Sequence, residues 1–208
     1  MRVRSVASCL PLALALALAG ACSSTPNPRY FVLEAIREPA ASPTDVSIVV
    51  GPVTVPEAVD RPQFVLSERS NEVLVDDLHR WASPLQDSLA DILASDLGAQ
   101  LGSTRVATSR HSGAAADYRV SVAVLGFRSR LGDSAQLEAS WTVRRADGAV
   151  RTGRTELREG VEGRDHAQLA AAHSRAISKM STQIAEAIRA LALEPLGSAQ
   201  DSQMRMQP

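Results

Sequence analysis

Two cysteines and four histidines are the residues of this 208-residue chain best suited to nucleophilic or metal chemistry. Cys9 and Cys22 both lie at the extreme N-terminus, so the region expected to fold has no thiol nucleophile, no internal disulfide and no cysteine-ligated zinc. His166 and His173 are seven residues apart and could share one helix face. Two histidines without a third ligand do not make a metal site, and both read as surface or boundary side chains. His111 stands in a polar loop with no visible partner. Asp76 and Asp77 are adjacent, and on a strand they would point to opposite faces. Arg154, Glu156, Arg158, Glu159, Glu162 and Arg164 read as a solvated charge pattern. A Gly-rich phosphate loop, a G-x-S-x-G elbow and an H-E-x-x-H pair are all missing. This inventory assigns no catalytic residue, no metal and no cofactor. It points to a protein that is not an enzyme and acts by binding and positioning.

Cys22 has a different reading. Arg2 and Arg4 form a positive n-region, and residues 10–21 (LPLALALALAGA) form an apolar stretch of about 12, the length of a signal-peptide core. That is too short to span the ~30 Å hydrocarbon layer, which needs about 20 residues. Ala19-Gly20-Ala21-Cys22 resembles a bacterial lipobox. Ala19 stands where leucine is usual, with Leu18 one place earlier; Ala19-Gly20-Ala21 also suits ordinary secretion. Plain secretion would leave a lone N-terminal thiol without purpose. Ser23 to Pro28 is polar and proline-rich, as a tether would be. The expectation is a signal peptide over 1–21, acylation at Cys22 and a tether over 22–28. Val6-Ala7-Ser8-Cys9 also has lipobox character, but no apolar region precedes it, so Cys9 is signal filler. Several acyl chains anchor a protein stably, because each buried CH₂ contributes about 0.8 kcal/mol. In Gram-negative lipoproteins Asp after the cysteine usually means retention in the inner membrane. Ser23 therefore points to the outer membrane, with the protein facing the periplasm.

The whole chain has the composition of an ordinary globular protein, with 45% apolar and 22% charged residues. With Arg2 and Arg4 removed from the 22 basic residues, 20 face 23 acidic ones, a net charge of −3. That balance disfavours a nucleic-acid binder, and 3% aromatics are too few for a base-stacking platform.

The elements that must position any binding surface follow from periodicity. Tyr30–Ala35 and the β-branched Val46–Val50 read as strands, the second ended by Gly51-Pro52. Residues 37–45 read as a loop, and 53–60 as irregular or one short turn. Gln63–Leu66 and Glu72–Val75 read as a hairpin. Ser83 as N-cap, Pro84 at the first helical position and Gln86 at the third would form a capping box. Leu85, Leu89, Ile92, Leu93, Leu97 and Leu101 then make one stripe, stopped by Gly102. Arg105–Thr108 is a short strand. Tyr118–Phe127, the alternating run around Trp141 and Val150–Leu157 form an antiparallel meander turning at Asp147-Gly148. A second helix starts at Asp165, with Gln168 completing another capping box, and ends before Pro195. The fold class expected is α+β. It is a single domain over 29–194, with a mixed, mainly antiparallel sheet and two long amphipathic helices packed on one face. Residues 195–208 read as a disordered tail.

Residues 51–85 are unusual in combining three prolines before residue 63, an Asp-Arg pair and His79-Arg80-Trp81. One reading is a proline-stiffened loop with Trp81 packed beside the helix start. The other is a partner surface, since Trp and Arg are favoured interface anchors and a short edge strand can pair with a partner. The candidate contact residues are Pro56, Asp60, Arg61, Pro62, Gln63, His79, Arg80 and Trp81.

These residues carry a resemblance. Gly51-Pro52-Val53 with Pro56, then Asp60-Arg61-Pro62-Gln63, then His79-Arg80-Trp81-Ala82 with Pro84-Leu85, is similar to the PqiC/YmbA family of lipoprotein auxiliary components of ABC-type (MCE) transport systems. Tyr30-Phe31-Val32-Leu33, Asp117-Tyr118-Arg119-Val120 and Glu138-Ala139-Ser140-Trp141 extend the resemblance over about residues 29–192. The chain departs from the pattern at Ala58-Val59, where an aromatic-Leu pair is frequent, and at Ser83, where Glu is frequent. The resemblance implies a non-catalytic outer-membrane subunit in lipid trafficking between the two membranes, supporting membrane integrity. The implied partners are a periplasm-spanning MCE-domain protein and outer-membrane lipid held through the acyl anchor. Ring-like homo-oligomers are also implied, and nucleic acid is not. The alternatives from the residues alone are an envelope-assembly or maintenance lipoprotein with another partner, and a lipid carrier. A carrier would need an apolar cavity that two packing stripes do not supply.

Overall fold

The structure is a computed structural model that describes residues 26–36, 43–69, 71–111 and 115–195. The signal peptide, Cys22, most of its tether and all of the tail beyond Pro195 lie outside the described residues.

Eight strands and two helices follow in the order β1 (Arg29–Phe31), β2 (Ile48–Thr54), β3 (Gln63–Arg69), β4 (Glu72–Trp81), α1 (Leu85–Leu101), β5 (Val106–Thr108), β6 (Tyr118–Arg130), β7 (Ser134–Arg145), β8 (Val150–Gly160) and α2 (His166–Leu193). All eight strands belong to one mixed sheet. β6, β7 and β8 form the expected meander, with Val122 opposite Trp141 and Trp141 opposite Gly153. β3 and β4 form the expected hairpin. These long pairings are antiparallel, whereas β1 on β4, β5 on β2 and β2 on β6 are shorter and parallel. β6 holds the sheet together. Its first half pairs with β2, its far end meets β3 at Ser129–Leu66, and β7 follows its other edge throughout.

The alternation of the meander explains its burial. Val120, Val122 and Val124 of β6 and Leu137, Ala139, Trp141 and Val143 of β7 turn inward, while their neighbours face outward or are half-buried. Both helices cover this inner face, α1 over β2 and β5 and α2 over β7 and β8, and they pack on each other. Leu85, Leu89, Leu93 and Leu97 of α1 are each at most 1% exposed. Leu169, Ile177, Met180 and Ile184 form the matching stripe of α2. Each such fully buried side chain contributes roughly 1.5–3 kcal/mol.

The helix termini separate the expectations that hold from those that do not. Gly102 ends α1 at φ +63°, and Ser103 N–H donates to Gly98 O at 2.9 Å. Asp165 caps α2 by accepting from Ala167 N–H at 3.1 Å. The capping box at Ser83 does not form. Pro84 has an extended ψ of 132° and is itself the N-cap, its carbonyl taking the first helical bond from Ser88 N–H. Ser83 is thereby pushed one residue outside the helix, out of reach of its free amides. Strand lengths also differ from expectation. β2 runs on through Gly51-Pro52, a cis peptide, to Thr54, and the hairpin strands extend to Arg69 and Trp81. β1 is confined to Arg29–Phe31.

One device was not legible in advance. Arg145, nearly buried at the end of β7, forms two hydrogen bonds with Asp147, at 2.9 and 2.7 Å. The same guanidinium donates to the carbonyls of Leu191, Glu194 (3.0 Å) and Pro195 (3.2 Å). It thus supplies a cation and donors to the C-terminus of α2, where the helix presents unpaired acceptors.

Candidate functional site

The hairpin β3–β4, the strand β1 beside it and the turn before it bring most of the expected contact residues to one end of the molecule. Val59 and Asp60 N–H both donate to Pro56 O, forming the tight turn that delivers Asp60, Arg61 and Pro62 to the start of β3. Trp81 N–H donates to Pro62 O at 2.7 Å, and Ala82 N–H donates to Phe31 O at 2.8 Å. These bonds place the end of β4 between the turn and β1. The result is a cleft of about 480 Å³ bordered by Tyr30, Asp60, Arg61, Pro62, Arg80 and Trp81. Tyr30 is 61% exposed at its rim. Arg80 is held by its Nε–H donating to Asp77 O at 2.9 Å.

Three of the eight expected contact residues do not belong to that rim. Pro56 lies along a separate cleft with Val65, Val73 and Leu125. Gln63 turns toward Asp77, its Nε2 at 3.4 Å from Oδ1. His79 turns inward. Trp81 borders the cleft but is a core residue, 6% exposed and stacked on Phe64 with ring centroids 4.0 Å apart. Of the two readings of residues 51–85, the packed tryptophan describes Trp81, and the exposed surface is made by Tyr30, Asp60, Arg61 and Pro62, with Arg80 half-buried beside them.

The inward turn of His79 reveals a cluster that sequence reasoning missed. His79 Nδ1 lies 2.8 Å from Asp76 Oδ2, and His166 Nε2 lies 3.1 Å from the same oxygen. The two imidazoles are stacked, with centroids 3.6 Å apart and planes within 1° of parallel. Asp76 Oδ1 accepts from Leu78 and His79 N–H at 3.0 and 3.2 Å, which fixes the carboxylate. Burial alone would raise the Asp76 pKa, but the His79 ring, the Leu78 amide and the nearby imidazoles outweigh it and hold the carboxyl below its ordinary value. Burial, then the neighbouring His79, pushes the His166 pKa down, against the pull of Asp76. Phe31 and Phe64 wall the cluster, with centroids 5.9 and 5.5 Å from His166. Although close to Asp76, His166 Nε2 is off the line a hydrogen bond requires, and this buried nitrogen has no hydrogen-bond partner among the described residues.

This geometry corrects several readings. His166 and His173 are not surface residues: they are 7% and 0% exposed and share the buried face of α2 with Leu169. His166 gains a carboxylate and a second imidazole from β4, so the pair lacking a third group was the wrong pairing. The only local hint was Asp76 and His79 three residues apart. His111 has a partner, its Nδ1 lying 2.9 Å from Thr108 Oγ1. Glu159 is not solvated: it is 8% exposed and pairs with Lys179 at 2.6 Å and Arg175 at 3.5 Å. Arg154 and Arg158 are solvent-exposed, as expected, and they pair with Glu138, Glu156 and Asp133. Asp76 and Asp77 do face opposite sides of β4, one toward the cluster and one toward Gln63.

No described helix is long and apolar enough to cross a membrane. A further cleft of about 1010 Å³ between α1 and β5, lined by Gly98, Gly102 and Val106, is open to solvent. Similar folds occur in solved structures. A Xanthomonas campestris protein of the family DUF330 is 20% identical, with a TM-score of 0.67 over 84% of this chain and 99% of that one. An uncharacterized protein is 19% identical, with a TM-score of 0.65 over 78% of this chain and 99% of that one. These likenesses extend over nearly the whole of both relatives and establish the fold. A search of curated proteins finds no match to the sequence. Residues 31–185, from β1 to the last third of α2, match a single family across both the sheet and the cleft, and the chain therefore belongs to the ABC-type transport auxiliary lipoprotein components, the PqiC/YmbA-like group.

Proposed function

We propose that this chain is the non-catalytic outer-membrane lipoprotein subunit of an MCE/Pqi-type ABC system that moves lipid between the inner and outer membranes. In this reading Cys22 carries the acyl anchor. The folded domain over 29–194 docks the periplasm-spanning MCE protein at the outer membrane, and docking supports membrane integrity. The observation that carries the proposal is the family match over residues 31–185.

Chain geometry supports a role for the cleft. β1 begins at Arg29, seven residues after Cys22. Seven extended residues reach at most about 25 Å. In this reading the tether holds the start of β1, where Tyr30 pairs with Arg80 at the rim, within that distance of the anchored leaflet. The rim presents an exposed aromatic ring beside two guanidinium groups and one carboxylate, a combination suited to a polar-rimmed protein contact. The open form of the cleft between α1 and β5 favours docking over enclosing a lipid.

The test is co-purification from membranes in mild detergent, with an MCE-domain protein of the same organism as the prey. Wild type is expected to capture it, and the double charge reversal Arg61→Glu with Arg80→Glu to lose it while remaining folded and membrane-bound. Failure of folded, outer-membrane-localised wild type to capture the prey overturns the docking role. Absence of alkyne fatty-acid label, or insensitivity to globomycin, overturns the anchor.

A further inference from the structure

We propose that Asp76, His79 and His166 form a binding site for one divalent transition-metal ion of the zinc class, with at least one coordination position left open. The proposal rests on these three residues and does not depend on the partner or the anchor.

Three donors of the appropriate kinds converge from two elements far apart in sequence: Asp76 Oδ2 and His79 Nδ1 from β4, and His166 Nε2 from the first turn of α2. All three atoms lie within 4.8 Å of one another. Two imidazoles with a carboxylate select zinc and its neighbours over calcium or magnesium, which take oxygen ligands.

The independent sign is His166 Nε2. It is buried, it lies 3.1 Å from Asp76 Oδ2 without the alignment of a hydrogen bond, and it has no hydrogen-bond partner among the described residues. A buried ring nitrogen in that state costs stability unless something occupies its lone pair or proton. A metal ion beside Oδ2 is such an occupant. The carboxylate is also braced from behind, since Oδ1 is taken by two backbone amides, leaving Oδ2 to the site. Phe31 and Phe64 pack against the His166 ring and shield that donor from bulk water, while Asp76 and His79 stay partly open to solvent.

The donors are at present closer than a bound ion allows. Tetrahedral zinc with bonds of about 2.1 Å separates its ligands by roughly 3.4 Å, whereas the observed separations from Oδ2 are 2.8 and 3.1 Å. Loading must therefore spread the triad and turn the stacked rings so that their lone pairs converge. The N-terminus of α2 repels a cation. Asp76 and the cap Asp165 offset that repulsion, both acting on His166 as negative charges. Because the site joins the hairpin to α2, loading ties two parts of the fold together and raises thermal stability.

The experiment uses the full chain without a polyhistidine tag, purified in detergent, stripped with EDTA and titrated with Zn²⁺, then with Co²⁺ as a spectroscopic probe. Expected are saturable binding of one ion per chain, visible d–d bands of low-coordinate Co²⁺, and a higher melting temperature with Zn²⁺. His79→Ala, Asp76→Asn and His166→Ala should each weaken binding at least tenfold, the loss that even outer-shell changes can cause. His111→Ala should leave affinity unchanged. His79 is partly exposed, so its variant is the least exposed to misfolding, and circular dichroism checks each protein. Absence of saturable Zn²⁺ binding to wild type overturns the site. So does an affinity that survives in all three triad variants, which would mark adventitious surface binding only.

Discussion

His173 should make the stability of this protein fall on mild acidification. Its side chain is completely buried beneath the sheet, with Nε2 2.8 Å from Ser129 Oγ. The ring lies against Phe127 with centroids 3.8 Å apart, and Nδ1 has no hydrogen-bond partner among the described residues. Charging the ring here would strand a cation among apolar side chains, so burial lowers its pKa from 6.5 to about 3. The folded protein therefore keeps His173 neutral throughout the mildly acidic range, while the unfolded chain takes up a proton near pH 6.5. Between pH 6.5 and 3 the unfolded state binds one more proton, and stability declines by up to about 1.4 kcal/mol per pH unit. From pH 7 to pH 5 the loss from this residue is about 2 kcal/mol. His166, whose pKa is also lowered, adds to the fall. Asp76, held below its ordinary value, contributes stability that disappears only at lower pH, as its folded-state pKa is approached. A comparison with His173→Gln cancels those shared contributions and retains a group able to bond Ser129. Urea unfolding of both proteins in EDTA at pH 7 and pH 5 is the assay. Wild type should lose about 2 kcal/mol more than the variant over that interval. Equal losses in the two proteins would refute the reasoning and mean that the buried ring is charged or that the core admits water.

Other perturbations test the packing and the anchor. A Cβ at Gly153 would lie 2.1 Å from the Trp141 ring, whose Nε1–H is held by Thr155 Oγ1 at 3.1 Å. Gly153→Ala should therefore destabilise by about 1–3 kcal/mol, read as a lower urea midpoint, and an unchanged midpoint would count against this ring position. Leu93→Ala removes a side chain with 0% exposure at the centre of α1 and should cost about 2–5 kcal/mol in the same assay. Arg145→Met should lower the melting temperature and increase proteolysis at the end of α2, because the guanidinium that ties down the carbonyls of Leu191, Glu194 and Pro195 is lost. Cys22→Ala is expected to move the protein from the membrane pellet to the soluble envelope fraction without altering its circular dichroism.

Legibility followed locality. The meander, the β3–β4 hairpin and the two helices could be read from runs such as Leu85–Leu101, because an amphipathic period and a turn are encoded within a few residues. The Gly102 stop and the Asp165 cap hold for the same reason. Ser83 misled because its capping power depends on the ψ of Pro84, a single dihedral decided by how the chain leaves β4. Trp81 and Arg80 illustrate the same limit. Adjacent residues of similar interface preference ended with one ring stacked on Phe64 and the other side chain at a cleft, because β4 alternates its faces.

Taken alone, the sequence determined the α+β class and the family, since both rest on short ordered motifs and periodic burial. It also set the expectation of an anchor at Cys22, which depends only on a linear signal. The tertiary structure alone decided that His166 meets Asp76 and His79, that His173 is sealed against Phe127, and that Arg145 closes the end of α2. Each of these joins residues roughly 45–90 positions apart, and no periodicity or spacing reports such contacts. They arise when β4, β6 and β7 are laid beneath one long helix, and side chains that were neutral bystanders in the linear chain become each other's electrostatic surroundings.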